Sequence, residues 1–170
     1  MDADDLILRP LLPTDSMAAL TELLHRAYRP LAEMGLRFVA SYQDEQVTQS
    51  RVDAGHCFVA ARDGQLVGTI TYYNGGAEGS ADWYSRPGVH HFGQFAIEPG
   101  LQGRGAGSRL LRFVEVLALS QGAHELALDT AEGAHRLIEY YERRGYRKVE
   151  MVQWDMTNYA SVILSKHLAE

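Results

Sequence analysis

The stretch that decides the fold is "IEPGLQGRGAGSRLLRFVEVLALSQG", Ile97–Gly122. Three glycines alternate at Gly103, Gly105 and Gly107, and an apolar pattern with helical spacing follows at once. Glycine weakens a helix by about 1 kcal/mol relative to alanine, so its place at a helix start needs another reason. Bare backbone N–H groups at a helix N-terminus lie at the positive end of the helix dipole and form an anion site. A turn that needs φ > 0 explains one glycine, whereas three in alternation favour a phosphate-binding loop.

Two common nucleotide-binding loops fit this stretch poorly. A P-loop requires Lys and then Ser or Thr after its last glycine, where this sequence has Ala106 and Gly107. A dinucleotide fingerprint fits at Gly103 and Gly105 but has Ser108 in place of its third glycine. It also normally closes the first strand of a parallel sheet, and this loop lies in the middle of the chain. A nucleotide-binding protein is therefore the weaker alternative, and thermal stabilisation by ATP or NAD would reveal it.

The flanking segments alternate between strand and helix patterns in the order β-α-α-β-β-β-α-β-α-β-β. Asp63 and Gly64 separate two apolar runs and predict a hairpin, and residues 74–88 read as a glycine-rich surface loop. We predict a mixed α/β (α+β) fold, with a mostly antiparallel central sheet of about seven strands and four helices, as a single domain over residues 1–170. Further strands are predicted over 6–11, 89–97, 125–130, 146–154 and 161–168. The first helix starts near Ser16 and ends at Pro30, and the second runs from a Ser41 cap to Gly55. The third helix ends at Gly122, and the fourth covers 134–144.

The amino-acid composition narrows the classes of function that the protein can have. The 170 residues are 46% hydrophobic and 22% charged, with a net charge of -6, which disfavours nucleic acid and anionic membranes as partners. No apolar run approaches the length of about 20 residues that spans a bilayer, and "MDADDLILRP" is acidic where a signal peptide is basic. A cytoplasmic protein is the expectation. The single cysteine, Cys57, is predicted to be a small buried hydrophobe, and the seven histidines show no metal-ligand spacing.

Two segments carry a resemblance to a known family. "QGRGAG" matches [QR]-x-x-G-x-[GA] and resembles the acyl-CoA loop of the GNAT superfamily of N-acetyltransferases, and "YYERRGYRKVE" is similar to that family's later Y-E-x-x-G-[FY] segment. The order of elements extends the likeness over nearly the whole chain. The resemblance implies a GNAT-like sheet that is splayed near the acyl-CoA site, with acetyl-CoA as the acyl donor. A sheet that opens after Ile97 is compatible, because Pro99 cannot donate to a strand ladder.

The resemblance also implies which residues hold the donor. Its pyrophosphate would lie on the backbone amides of the glycine loop, and its pantetheine arm would pair with the backbone near Phe95 and Ile97. Arg104, Arg109 and Arg112 could add positive charge, although a solvated role is as good for Arg109 and better for Arg112. The loop residues implied are Gln102, Gly103, Arg104, Gly105, Ala106 and Gly107.

Direct attack by an amine on the thioester, which the family implies, needs a proton acceptor and a proton donor. Tyr141 matches the family's tyrosine and is the donor candidate, and Tyr140 points elsewhere on the helix. His91 occupies a position where relatives place Glu or His and is the base candidate, ahead of His90. In a regular strand it would share a face with Phe95 and Ile97. Ala134 stands where many relatives have Asn, so a contact from that side chain to pantetheine is not expected.

The acceptor residues are the least determined. Tyr28, Trp83 and Tyr84 are the substrate candidates, in a setting of aromatic and acidic side chains that suits a cationic amine. The prediction is an acetyl-CoA-dependent N-acetyltransferase for a primary amine, small or peptidic, with a homodimer implied by the family alone. A non-catalytic acyl-CoA sensor of the same fold is the alternative. The wider acceptor setting includes Tyr42, Trp154, Tyr159, Asp44, Glu45, Asp82 and Asp155.

Overall fold

In the computed structural model, which describes residues 5–76 and 80–169, the chain forms seven strands and four α-helices in the predicted order. None of the helices in these two ranges has the length and apolarity that crossing a bilayer demands. The elements are β1 (Ile7–Pro10), α1 (Met17–Glu33), α2 (Glu45–Asp53), β2 (His56–Arg62), β3 (Gln65–Tyr73), β4 (Val89–Ile97), α3 (Ala106–Ser120), β5 (Glu125–Ala131), α4 (His135–Glu142), β6 (Arg147–Val152) and β7 (Ser161–His167).

The strands form one sheet in the order β1-β2-β3-β4-β5-β7-β6. All neighbours are antiparallel except β4 and β5, so the predicted mostly antiparallel sheet is confirmed. The predicted hairpin is also present: Asp63 and Gly64 connect β2 to β3 with φ values of 50° and 75°. Positive φ at both turn residues matches the right-handed twist of the flanking strands.

The parallel pair is short. β4 pairs with β5 only at Val89, His90 and His91, whereas its pairing with β3 continues to Ile97. Beyond His91 the two strands diverge, and one edge of β4 is open. The predicted splayed sheet is confirmed, but the pairing of β4 with β5 already ends at His91, six residues before Ile97. Pro99 lies beyond that point, so its missing donor does not cause the opening.

Helices cover both faces of the sheet. α1 and α2 enclose a cluster that includes Leu20, Leu24 and Val59, while α3 and α4 cover the opposite face with Leu110 and Ile138. All five side chains are buried. Burial of large aliphatic side chains on both faces stabilises the layers by about 1.5–3 kcal/mol each. The sheet is therefore fixed from both sides, and the gap between β4 and β5 lies within a rigid frame.

Two helix boundaries differ from the predictions. Pro30 does not end α1, because it lies in the last turn and removes a single amide from the ladder; Met34 N donates to Pro30 O at 3.2 Å. Asp44, not Ser41, caps α2: its Oδ1 accepts from Val47 N at 2.9 Å. Ser41 belongs to a separate 3-10 turn, where its hydroxyl donates to Phe38 O.

The segment over 74–88 is more structured than a surface loop. A 3-10 turn, Asp82–Ser85, buries Tyr84 against the sheet, and Ala81 is buried beside it. Residues 77–79 of this segment lie outside the described residues. The glycines predicted an exposed loop. The segment is ordered instead because Tyr84, which follows them, is buried against the sheet.

Candidate active site

One cavity of about 1230 Å³ lies at the gap between β4 and β5. Its lining includes the first turn of α3 and residues of α4 from one side of the sheet. From the other side it includes the end of α2, the end of β3 and the loop before β7. A donor at the glycine loop and an acceptor at the far side can therefore meet at the opening of the sheet.

The glycine loop presents backbone without side chains. Gly103 and Gly105 have φ values of 77° and 88°, a region that residues with a Cβ rarely adopt. A Cβ at either glycine would meet no atom within 4 Å, so the space in front of the loop is open. The N-cap residue of α3 is Gly105, which has no side chain to cap the helix. The Gln102 side chain donates back to Ile97 O at 3.1 Å and fixes the loop against β4. Open amides at a helix start fit the pyrophosphate of an acyl-CoA.

Arg144, two residues beyond the end of α4, places positive charge beside this loop. The Arg144 guanidinium donates to Ser108 Oγ and to Tyr140 O, each at 2.9 Å, and lies 3.5 Å from the centre of the Tyr140 ring. Arg144 lines the cavity, whereas Arg104, Arg109 and Arg112 do not. The sequence carried a signal for Arg144, since it stands three residues after Tyr141 within the quoted segment.

A bulge in β4 changes which residues share a face. Gln94 has a φ of 48°, and Gln94 and Phe95 together lie opposite one residue of β3. The predicted common face of His91, Phe95 and Ile97 is therefore wrong. Phe95 and Ile97 pack in the cluster of α3, on the side of Phe92.

Tyr28 of α1 is hydrogen-bonded to the backbone of β4. Its hydroxyl donates to Phe95 O at 2.9 Å, and burial raises its pKa to about 12. It lines the cavity from α1.

Tyr141 lines the cavity from α4 with its ring in the core beside Phe92 and Tyr146. Desolvation raises the pKa of its hydroxyl well above the usual range, so the group stays protonated. Among residues 5–76 and 80–169, no hydrogen-bond partner faces this hydroxyl. Tyr140 also lines the cavity, but its hydroxyl approaches Gly107, within 3.5 Å of the position that a Cβ there would take. The two tyrosines therefore serve different parts of the cavity.

His91 is enclosed by aromatic rings. It stacks on Tyr84 at 4.1 Å and on Tyr73 at 4.9 Å, and its Nε2–H donates to Gly75 O at 2.9 Å. Desolvation lowers the pKa of the imidazole to about 4. With Nε2 protonated, Nδ1 is the atom that can accept a proton. His90 points to the other face, where it hydrogen-bonds to Tyr72.

The acceptor side contains an acid that the sequence did not single out. Asp129 on β5 lines the cavity and accepts from the Tyr84 hydroxyl at 2.8 Å and from Trp154 Nε1 at 3.1 Å. Tyr84, a predicted substrate residue, also lines the cavity. Trp83 does not line it and packs under Arg86 instead. Asp129 has no local motif, because only the pairing of β5 brings it to the opening.

Of the wider set of acceptor candidates, two aromatic residues line the cavity and the others do not. Trp154 and Tyr159 line the cavity from the loop before β7. Tyr42 and the four acids outside β5 do not: Asp44, Glu45, Asp82 and Asp155.

The remaining reactive groups lie outside this chemistry. Cys57 is buried, and desolvation raises the pKa of its thiol, which confirms the prediction of a small buried hydrophobe. Within the described part of the chain, no three His, Cys, Asp or Glu side chains are grouped as metal ligands would be.

Known proteins share both the sequence and the fold. Residues 17–146 match the sequence profile of the Acetyltransferase (GNAT) family. S-(2-succino)cysteine N-acetyltransferase of Bacillus subtilis (strain 168) is 33% identical over 132 residues, which cover 75% of this chain and 76% of that protein. S-alkylcysteine N-acetyltransferase of the same organism is 31% identical over 138 residues, or 78% of this chain and 74% of that protein.

Solved structures agree on the fold. A GNAT family acetyltransferase from Elizabethkingia anophelis with acetyl-CoA bound superposes with a TM-score of 0.68 at 15% identity, covering 97% of this chain and 99% of that one. The protein yncA from Salmonella typhimurium, solved with its cofactor acetyl-CoA, gives 0.71 at 18% identity, with coverages of 98% and 95%. The profile match, the two relatives and the glycine loop before α3 agree: this chain belongs to the GNAT acetyltransferase family, whose acyl donor is acetyl-CoA.

Proposed function

We propose that the protein moves an acetyl group from acetyl-CoA to the primary α-amine of a small amino acid, with S-substituted cysteines as the substrate class. The observation that carries the proposal is the single cavity that joins the glycine loop to a charged acceptor side at the opening of β4 and β5. The two cysteine-acetylating relatives support the acceptor class, since each aligns with about three quarters of this chain.

The donor is held by backbone in this proposal. The amides from Gln102 to Gly107, a range that includes Arg104 and Ala106, bind the pyrophosphate, and Arg144 adds charge beside them. The open edge of β4 near Phe95 and Ile97 pairs with the pantetheine arm. The uncapped N-terminus of α3 and the unpaired stretch of β4 support these assignments.

The chemistry is one direct transfer. The amine lone pair attacks the thioester carbon, the C–S bond breaks, and the thiolate of CoA receives a proton as the amide forms. Tyr141 is the proposed donor of that proton. Its raised pKa and the lack of a described hydrogen-bond partner support this role, because a protonated, unoccupied phenol can bond to the leaving sulfur.

His91 is the proposed acceptor of the amine's proton, through Nδ1 and water. Its low pKa keeps it neutral at neutral pH, and it is therefore a weak base. Asp129 acts on binding instead: its carboxylate faces the same space and attracts the ammonium form of the substrate to the cavity. The pH dependence of kcat/KM near neutrality then follows the amine rather than His91.

The test is CoA thiol release from acetyl-CoA with a panel of amines. We expect S-methylcysteine and S-(2-succino)cysteine to be acetylated with higher kcat/KM than lysine or a polyamine. A protein that binds acetyl-CoA but acetylates no member of the panel would be the acyl-CoA sensor instead.

Tyr141→Phe tests the catalytic assignment in the same assay. We expect kcat to fall about 100-fold or more, the size of a general-acid contribution, with acetyl-CoA affinity retained. Tyr146→Phe is the matched control, because the Tyr146 hydroxyl donates to Glu115 at 3.2 Å and lies outside the cavity. It should cost about 1 kcal/mol of stability and leave kcat unchanged. Equal kcat values in the two variants would contradict the role of Tyr141.

A further inference from the structure

We propose that Arg51 and Gln94 form a carboxylate-binding pair for the acceptor, which makes the protein selective for amines that carry a carboxylate. The inference rests on the proposed function for the entry of the acceptor into this cavity, and it adds the residues that choose among amines. Carboxylates on the α-carbon and on the sulfur substituent offer the same chemistry, so the experiment separates these two sources.

Arg51 is held at the cavity by its own backbone. It lies in the last turn of α2, and its carbonyl accepts from the Tyr73 hydroxyl at 3.0 Å. Tyr73 in turn stacks on His91, so the end of α2 is fixed relative to the proposed base. The Arg51 side chain is half-buried and lines the cavity. Within the two described ranges it pairs with no carboxylate. A half-buried guanidinium without an acid suits a planar, bidentate anion.

The guanidinium orients a buried chain of amides. Arg51 Nη1 donates to Gln43 Oε1 at 2.8 Å, and Gln43 Nε2 donates to Gln94 Oε1 at 2.7 Å. Because arginine can only donate, it fixes the polarity of both amides and leaves Gln94 Nε2 at the end as a donor. Among the described residues no acceptor faces that nitrogen, which is buried in a side chain only 4% exposed that also lines the cavity. A buried donor of this kind costs about 1–3 kcal/mol unless a ligand satisfies it.

The two charges of the acceptor side act on one space. Burial raises the pKa of both Tyr28 and Tyr159, and beyond that the positive charge of Arg51 lowers it while the negative charge of Asp129 raises it. The rings of both tyrosines line the cavity between α1 and the loop before β7. An amino acid carries a matching pair of charges. Asp129 suits its ammonium, and the donors of Arg51 and Gln94 suit its carboxylate.

The experiment measures equilibrium binding of three amines to the CoA-loaded protein by calorimetry, so that it does not depend on turnover. S-methylcysteine has only an α-carboxylate, 2-(carboxymethylthio)ethylamine has only a carboxylate on the sulfur substituent, and 2-(methylthio)ethylamine has none. Arg51→Met should weaken binding of a carboxylate-bearing amine by about 10- to 100-fold relative to the third amine. Loss for the first amine identifies the α-carboxylate, and loss for the second alone identifies the substituent.

Arg51→Lys keeps the charge without the planar fork, and it should give a smaller loss while preserving the fold if the Met variant does not. Arg62→Met is the control, because Arg62 is half-buried at the end of β2 but outside the cavity, and it should change nothing. An Arg51→Met variant that binds acetyl-CoA and weakens all three amines equally, or none, overturns the inference. So does a wild type that binds no carboxylate-bearing amine better than 2-(methylthio)ethylamine.

The two proposals fail separately. If Arg51 governs binding of carboxylate-bearing amines but no S-substituted cysteine is acetylated, the proposed function is wrong and the carboxylate-binding pair stands. If S-methylcysteine is acetylated and Arg51→Met leaves the binding of both carboxylate-bearing amines unchanged, the pair is wrong and the proposed function stands.

Discussion

The surroundings of His91 determine its chemistry more than the imidazole itself does. An unperturbed imidazole has a pKa near 6.5 and suits proton removal at neutral pH. Between Tyr73 and Tyr84 the ring is desolvated, and this effect outweighs the Gly75 carbonyl and the charge of Asp129, both of which favour the protonated form. The sequence could point to His91, but it could not reveal the two rings, because they reach it from β3 and from a 3-10 turn.

The low pKa of His91 makes stability depend on pH. The folded pKa of about 4 lies below the unfolded value near 6.5, so the unfolded chain binds more protons between these values. Stability therefore falls as pH decreases from 6.5 to 4, by at most about 3 kcal/mol from this group. We expect His91→Gln to lose less stability than wild type between pH 7 and pH 4.5 in urea unfolding.

His135→Gln is the control for this measurement, since it changes an exposed histidine at the start of α4. Its pH dependence should follow the wild type. If His91→Gln shows the same decrease in stability as wild type, the imidazole of His91 is not desolvated as described.

At the scale of helices and strands, the sequence correctly predicted the features that neighbouring residues determine. Asp63 and Gly64 gave the hairpin, and the alternating glycines located the start of α3. One boundary prediction was wrong for a local reason: Pro30 lies in the last turn of α1 and removes a single amide, so the helix continues to Glu33. The bulge at Gln94 was not predicted either, because glycine or asparagine is the usual residue at a positive φ and glutamine is not.

Gly105 should be irreplaceable for the donor loop, since it caps α3 with a φ of 88°. An alanine there costs about 1–2 kcal/mol in the left-handed region and places a methyl group in front of the exposed amides. We expect Gly105→Ala to weaken acetyl-CoA binding at least about 10-fold in calorimetry. Gly100→Ala is the matched control from the preceding turn, where φ is not positive and a Cβ meets no atom within 4 Å. It should bind acetyl-CoA like the wild type; equal losses would mean that the loop tolerates no side chain for other reasons.

At the scale of the whole molecule, the resemblance identified the family and the donor loop but not the acceptor side. Gln102 to Gly107 are contiguous, so a motif can specify them. Arg51, Asp129 and Tyr84 come from α2, β5 and a 3-10 turn, and only the folded sheet brings them to one cavity. A sequence motif therefore predicts the loop that binds the donor, but it does not predict a site assembled from distant elements. Dimer formation stays a prediction, with β1 and β6 as the free edges of the sheet.

Two distant contacts fix the two ends of the cavity, and they offer a test of its division into donor and acceptor halves. On the donor side, the Arg26 guanidinium in α1 binds both oxygens of Glu98, just before the glycine loop, at 3.0 and 2.7 Å. On the acceptor side, the Asn158 amide donates to Gly35 O at 2.9 Å and accepts from Arg37 N at 3.0 Å. This second contact ties the loop of Trp154 and Tyr159 to the end of α1.

Removal of either contact should raise the KM of one substrate and leave the KM of the other nearly unchanged. Asn158→Ala frees the loop before β7, so KM for the acceptor amine should rise about 3- to 10-fold while KM for acetyl-CoA changes little. Arg26→Met frees the segment after β4, and the pattern should reverse. Each variant should lose only about 1 kcal/mol of stability, because both contacts are partly exposed. Steady-state kinetics with both substrates varied would measure the four constants. If each variant raises both KM values by the same factor, the cavity responds as one unit and the division into halves is wrong.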